Sequence, residues 1–233
     1  MKRFAGWIGI AALAATLLGT PGRAPAAAKD DNAKYGERLL EAKQVFQDLM
    51  SASDRKVPQK LLDKAKCIVV IPDMVKGAVG FGARWGNGVI SCRHGQDWTA
   101  PVFVALKGGS WGLQIGAEKT DLVLFMMNEK GARSLVNKSK FTLGGTASVA
   151  AGPFGRSGEA ATDLNLNAEI YSYAKSKGLF AGISLEGASL RPSTKANQAY
   201  YGKPISPQSV LFANRAPSPL PAEAKDFLSV LPR

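Results

Sequence analysis

Two cysteines and a single histidine are all the soft metal ligands that 233 residues supply. Zinc takes about four nitrogen or sulfur donors, so Cys67, Cys92 and His94 do not make a site. No metal and no other cofactor is expected. His94 lies in "CRHGQDW", a turn-like setting in which no aspartate–histidine–serine order implies a triad. Acids are scarce too: 18 against 30 lysines and arginines, a formal net charge of +12. Such an excess favours anionic partners, whether phospholipid surfaces, acidic polymers or nucleic acid. Long apolar runs are also few. The one that stands out, Phe4 to Leu18, spans 15 residues, short of the roughly 20 that cross a bilayer.

That run begins after Met1-Lys2-Arg3 and leads into "GTPGRAPAAAKDD". A charged start, a short apolar stretch and an Ala-x-Ala exit describe a secretory signal peptide, expected over residues 1–28 with cleavage after Ala26 or Ala28. No cysteine stands near the exit to take a lipid anchor. Cleavage removes Lys2, Arg3 and Arg23 and no acid, so the formal charge falls from +12 to +9. The expected address is export, to the periplasm or outside the cell, where nucleic acid is no natural partner. In that compartment disulfides persist. Cys67 in "CIVVI" and Cys92 in "GVISC" lie in strand-like runs, so they are either a bridge across adjacent strands or two packed thiols. The oxidising surroundings favour the bridge.

What is present is a change of texture near residue 66. From Asp30 to Ser51 the apolar residues Leu39, Ala42, Phe46, Leu49 and Met50 fall on one helical stripe, with Asp30, Asp31 and Asn32 as candidate caps. "VPQKLLDKAK" predicts a shorter helix from about Pro58. After Lys66 come short β-rich runs broken by glycine, the pattern of an antiparallel sandwich or barrel. "NEKGARSLVNKS" interrupts them as a helix that Asn128 is placed to cap. Glycines 77, 80, 82, 86 and 88 sit inside strand-like sequence, which implies a close approach or a bend. A phosphate loop would need a following helix, and the β-like "GVISCR" follows instead.

The expected fold is therefore α+β: a mainly antiparallel, strongly curved or barrel-like sheet with an N-terminal helical segment and one inserted helix. Residues 29–66 form its helical part and 67–202 its β-rich part. Residues 203–233 carry Pro204, Pro207, Pro217, Pro219 and Pro221 and are expected as a surface arm with a short final helix.

Two motifs resemble catalytic or metal chemistry without fitting it. Ser172-Tyr173-Ala174-Lys175 spells S-x-x-K, the nucleophile motif of penicillin-binding enzymes. Its companion motifs are absent, and on a strand residues three apart point to opposite faces. Lys175 to Gly178 is better explained as a hairpin loop with Gly178 at positive φ. Asp163-Leu164-Asn165-Leu166-Asn167 opens like a calcium loop, but Ala168 and Ala174 stand where glycine and a closing carboxylate are required. Strict alternation makes it a half-buried strand. Trp85, Trp98 and Trp111 are expected as buried aromatics of core or rim.

Several stretches together resemble one family. "KCIVVIPDMVKGAVGFGARWGNGVISCR", "APVFVALKGGSWGLQIGAEKTDLVLFMMN", "KFTLGGTASVAAGPFGR", "IYSYAKSKGLFAGISLEG" and "NQAYYG" look like the SYLF domain in its stand-alone bacterial form, in order from about Cys67 to Gly202. The resemblance implies lipid binding without catalysis. Eukaryotic relatives, often joined to Src-homology-3 or FYVE modules, bind phosphoinositides, and some bind and bundle actin. Their lipid contact is ascribed to a basic amphipathic helix at the start of the domain. The matching region supplies Lys34, Arg38 and Lys43, with Lys60 and Lys64 on the second helix, and departs from the pattern by carrying Glu37, Glu41 and Asp48. An exported member implies anionic phospholipid at a membrane surface as ligand. The competing expectation is an envelope structural or protein-interaction protein that docks a partner through Phe227, Leu228 and Val230 of the tail.

Overall fold

The computed structural model describes residues 27–52, 56–79, 81–111, 116–137, 141–154 and 168–233. The expected signal peptide, apart from its last two residues, and the expected alternating strand at 163–167 lie outside them.

Helix α1 (Ala27–Ser51) and the short α2 (Gln59–Lys64) precede the sheet. The stripe on α1 is buried: Leu39, Ala42, Phe46 and Leu49 are fully covered, and Tyr35 and Val45 join them. Met50, expected on that stripe, is 38% exposed, because it lies a further 100° round the helix from Leu49. The expected cap at Asp30–Asn32 is also corrected. The helix is already formed at Ala27, which places those residues inside its first turns.

Ten strands follow: β1 (Cys67–Val79), β2 (Phe81–His94), β3 (Asp97–Trp98), β4 (Val102–Trp111), β5 (Gly116–Met126), β6 (Phe141–Thr142), β7 (Val149–Ala151), β8 (Ile170–Ser176), β9 (Leu179–Gly182) and β10 (Ser189–Pro192). They run β6-β10-β4-β2-β1-β5-β8-β7 across one sheet, with β3 on β2 and β9 on β8. Among the described strands, β7 and β8 are the one pair that runs in parallel. The inserted helix is α3 (Glu129–Asn137), and Asn128 Oδ1 accepts from Gly131 N–H at 2.9 Å as its cap. Helices α4 (Thr194–Tyr201), α5 (Pro207–Ala213) and α6 (Ala222–Leu228) complete the chain.

Both faces of the sheet are covered, which explains the unbroken apolar run "CIVVI". Ile68, Val70, Val89, Phe103, Phe125 and Tyr173 pack beneath α1, α2, α4 and α6. Cys67, Val69, Ile71, Ile90, Val104 and Leu124 point the other way, towards α3, α5 and residues 143–147. Strand alternation assigns each residue to its side. Cys67 and Cys92 are direct partners in the β1–β2 register and are joined in a disulfide.

The outermost strands β6 and β7 are consecutive in sequence and joined by residues 143–148. A six-residue link spans at most about 20 Å, and this one folds back on itself, with Gly144 N–H donating to Ala147 O at 2.8 Å. The two edges are thus drawn together, and the sheet curls into a half-barrel around the face that carries Leu143 and Ala147.

A bulge shapes the centre of this curl. β1 holds one more residue than either neighbour: Val70 and Val75 face Val89 and Trp85, and Ile71 and Met74 face Leu122 and Thr120. The extra residue falls at Pro72-Asp73, where Pro72 has no N–H to pair and Asp73 adopts φ 49°. Asp121 Oδ1 accepts from Asp73 N–H at 3.0 Å. On β2 the room for the bend comes from glycine. A Cβ on Gly88 would stand 2.0 Å from Val70 O, and one on Gly86 2.5 Å from Ile71 Cγ2.

The tail is not a surface arm. Val210 and Leu211 of α5 and Ala224 and Phe227 of α6 are buried, and α6 lies along α1. Proline-rich linkers obscured two short helices whose apolar side chains are buried against the rest of the domain. Trp85 also departs from expectation, at 47% exposed.

Gly88→Ala is expected to cost at least about 3 kcal/mol, since overpacking against rigid backbone exceeds ordinary core crowding. Gly109→Ala, whose nearest neighbour is Gly82 O at 4.0 Å, is expected to stay within about 0.5 kcal/mol of wild type. Urea denaturation of the two variants checks this; equal midpoints would remove the steric account of Gly88.

Candidate functional site

Beyond the bulge the inner face of the sheet is not filled. There it forms a cleft of about 430 Å³, within the size range of small-ligand sites. Met74 and Lys76 of β1, Arg84 of β2, Glu118 and Thr120 of β5, and Ala174 and Ser176 of β8 line it, and Leu179, Ala181, Ile183 and Ser184 complete one wall. The bulge decides which side chains these are. Before it the odd-numbered residues of β1 face inward; after it Met74 and Lys76 do.

Register sets the polar row. Lys76 lies directly opposite Arg84 on one side and Glu118 on the other. Ser176 Oγ donates to Glu118 Oε1, which holds that carboxylate towards the β8 side. Arg84 is only partly satisfied. Its Nη1 donates to Ser184 O at a long 3.4 Å, while Nε is buried with no partner. Burial lowers its pKa from the ordinary value, yet a guanidinium keeps its proton in proteins. Among the described residues no carboxylate lies within ion-pair distance of Arg84. A cation with a spare donor, beside apolar walls, is suited to an anionic group attached to an apolar body.

The cations nominated from sequence lie elsewhere. Lys34 is exposed on α1, and Arg38 is half-buried with its guanidinium 5.7 Å from the Tyr35 ring centre. Lys43 is about 140° round the helix from Arg38 and faces Asp226 of α6 at 3.9 Å. Lys60 and Lys64 are exposed on α2. Glu37 and Glu41 are exposed on α1 among them. Lys34 and Arg38 therefore share one side of α1 and Lys60 and Lys64 one side of α2, while Lys43 is set apart. Sequence reading missed Lys76 and Arg84. The available signal was parity: Arg84 shares its strand face with Gly82, Gly86 and Gly88, and small neighbours leave a long cation room.

The S-x-x-K motif does not assemble. Ser172 Oγ lies between the carbonyls of Ala150, at 3.1 Å, and Ile183, on the inner face. Lys175 Nζ crosses to α1 and meets Asp48 Oδ2 at 2.5 Å. Lys177 at φ 50° and Gly178 at φ 83° make the two-residue turn from β8 to β9, as the sequence led one to expect. His94 is exposed at the β2–β3 turn. Tyr173, Tyr200 and Tyr201 are all pushed upward in pKa by burial, which leaves their phenols protonated at neutral pH. Among the described residues no group of three or more His, Cys, Asp or Glu is placed to hold a metal, and no helix is long and apolar enough to cross a membrane.

A curled α+β domain of this plan has relatives. The family described as Ysc84, Las17-binding protein actin regulator, matches residues 107–233. Protein YSC84 of Saccharomyces cerevisiae is 36% identical over 182 residues, covering 77% of this chain and 38% of the yeast protein. LAS seventeen-binding protein 3 of the same yeast is 35% identical over 190 residues, 80% of this chain and 40% of its own. The human SH3 domain-containing YSC84-like protein 1 is 33% identical over 179 residues, 76% of this chain and 51% of its own. The chain belongs to the Ysc84, or SYLF, family. It spans about half or less of the length of these curated relatives. The family description speaks of Las17 binding and actin regulation, and the name of one of these relatives speaks of binding.

On the helix-covered face, away from the cleft, Lys175 and Asp48 form a partly exposed ion pair. Burial alone would raise the Asp48 pKa, but hydrogen bonds from Lys175 and Gln44, with the charge of Lys175, outweigh it and hold the carboxyl below its ordinary value. A lowered folded-state pKa stabilises above the unfolded value of about 3.9 and is lost as pH falls through the folded one. Asp48→Asn is expected to destabilise the fold at pH 7 by about 1 kcal/mol or less for a partly exposed pair, and to converge on wild type as pH falls below the ordinary carboxylate range. An equal gap in urea denaturation at pH 7 and below that range would refute that linkage.

Proposed function

We propose that this protein is a non-catalytic module that binds anionic phospholipid at a membrane surface, with the half-barrel cleft receiving the phosphate-bearing head group. The carrying observation is Arg84, a desolvated cation with an unused Nε donor beside Lys76 and an apolar wall. About 430 Å³ suits a head group or a single chain end, so the acyl chains remain in the bilayer. Lys34, Arg38, Lys60 and Lys64 lie outside the cleft and add only a long-range attraction that salt screens. Export to the periplasm or beyond, expected from residues 1–28, makes an envelope phospholipid the available ligand.

Membership of a family described by Las17 binding favours a second reading, a protein partner. The tail is poorly placed to serve it, since Phe227 is fully buried and Lys43 is tied to Asp226 beside it. Any such partner meets another surface.

Co-sedimentation with phosphatidylglycerol-containing and pure phosphatidylcholine vesicles across a salt series tests the lipid reading. Binding is expected only to the anionic vesicles, weakening as salt rises. Arg84→Ala is expected to cost about tenfold or more, as loss of a charge-assisted hydrogen bond does, and Arg84→Lys less. Indifference to lipid charge would reject the lipid ligand. Selective binding unchanged in Arg84→Ala would reject the cleft.

A further inference from the structure

Three strand connections turn at the same end of the sheet. β1 passes into β2 there, with Val79 opposite Phe81. β4 leaves and β5 enters there, with Trp111 opposite Phe81 and Gly116 opposite Ala78. β8 turns into β9 on the same side, since Lys175 lies opposite Asp121 and the chain runs on towards the level of Glu118. The cleft of Lys76 and Arg84 opens at this end.

Near this end one large apolar side chain is exposed on the cleft face and another on the opposite face of the sheet. Leu179 is 66% exposed and Trp85 47%. A lone exposed leucine means little, but this one is fixed directly after a tight two-residue turn and lines the cleft mouth. Lys177, exposed, precedes it in the same turn. Of the other cations, Lys119 is paired with Asp73 at 2.6 Å and Lys175 with Asp48, while Lys107 is exposed opposite Trp85, on the face away from the cleft. The helix that family resemblance nominates is differently made. The stripe of α1 is buried, its Lys43 is ion-paired, and Glu37 and Glu41 are exposed; among its described side chains Leu40 and Met50 are the exposed large apolar groups.

We infer that the hairpin end of the sheet, rather than α1, is the face that seats on an anionic lipid surface. Leu179 enters the interface as an apolar anchor, and Lys177, Lys76 and Arg84 face the phosphates. This rests on the lipid-binding reading above and adds the orientation. Anchoring needs charge and apolar insertion together, and this end supplies both within one contiguous patch.

Vesicles of phosphatidylglycerol in phosphatidylcholine provide the probe, with Leu179→Asp compared against the pair Lys34→Glu with Arg38→Glu. Leu179 is exposed, so its variant is expected to keep the wild-type thermal midpoint. The expected result is at least a tenfold loss of vesicle affinity for Leu179→Asp and less than twofold for the α1 pair. Leu179→Phe should retain binding. Unchanged binding in Leu179→Asp, or a loss in the α1 pair as large as its own, overturns the orientation while leaving lipid binding intact. Failure of the wild-type protein to prefer anionic vesicles removes both.

Discussion

The close approach of β1 to the glycines of β2 governs the rest of the molecule. Val70 O and Ile71 occupy the space that a side chain at residue 88 would fill, and only there can β1 take its extra residue and bend. The bend reverses strand parity, so that Lys76 faces inward beside Arg84 instead of outward beside Trp85. One added residue thus converts the end of a packed core into a basic cleft. The bulge, the glycines and the two cations form a single device distributed over two strands.

Helix α1 is held by apolar contact more than by charge. Leu39, Phe46 and Leu49 are wholly buried, and each such side chain contributes about 1.5–3 kcal/mol. The ion pairs to Asp226 and from Asp48, both partly exposed, contribute about 1 kcal/mol or less each. Burial therefore fixes the helix, and the ion pairs set its direction. The same arithmetic makes α1 a costly element to release towards a bilayer, because its stripe would first have to leave the sheet.

Much of the architecture was legible because it depends on local chemistry. Asn128 caps α3, Lys177-Gly178 turns β8 into β9, and Cys67 and Cys92 face each other in the runs that suggested strands. The curved antiparallel sheet followed from glycine in strand-like sequence. What escaped depended on distant neighbours. The bulge at Pro72-Asp73 looks like a turn until the partners of β1 on both sides are known. Short helices between prolines look like an arm until Phe227 is found beneath α1. Arg84 looks like any solvated cation until Ser184 and the wall of β9 close around it. Trp85 was expected inside, as aromatic size alone suggests, and lies where the helices covering its face have ended.

The brevity of the border strands has a bearing on how copies of this fold behave when crowded. β6 and β7 have two and three residues, and their shared connection links them, so these two borders offer a neighbour little unpaired backbone to extend. Those two borders therefore give one copy's ladder little purchase on the next, which suits a domain proposed to gather on a membrane surface.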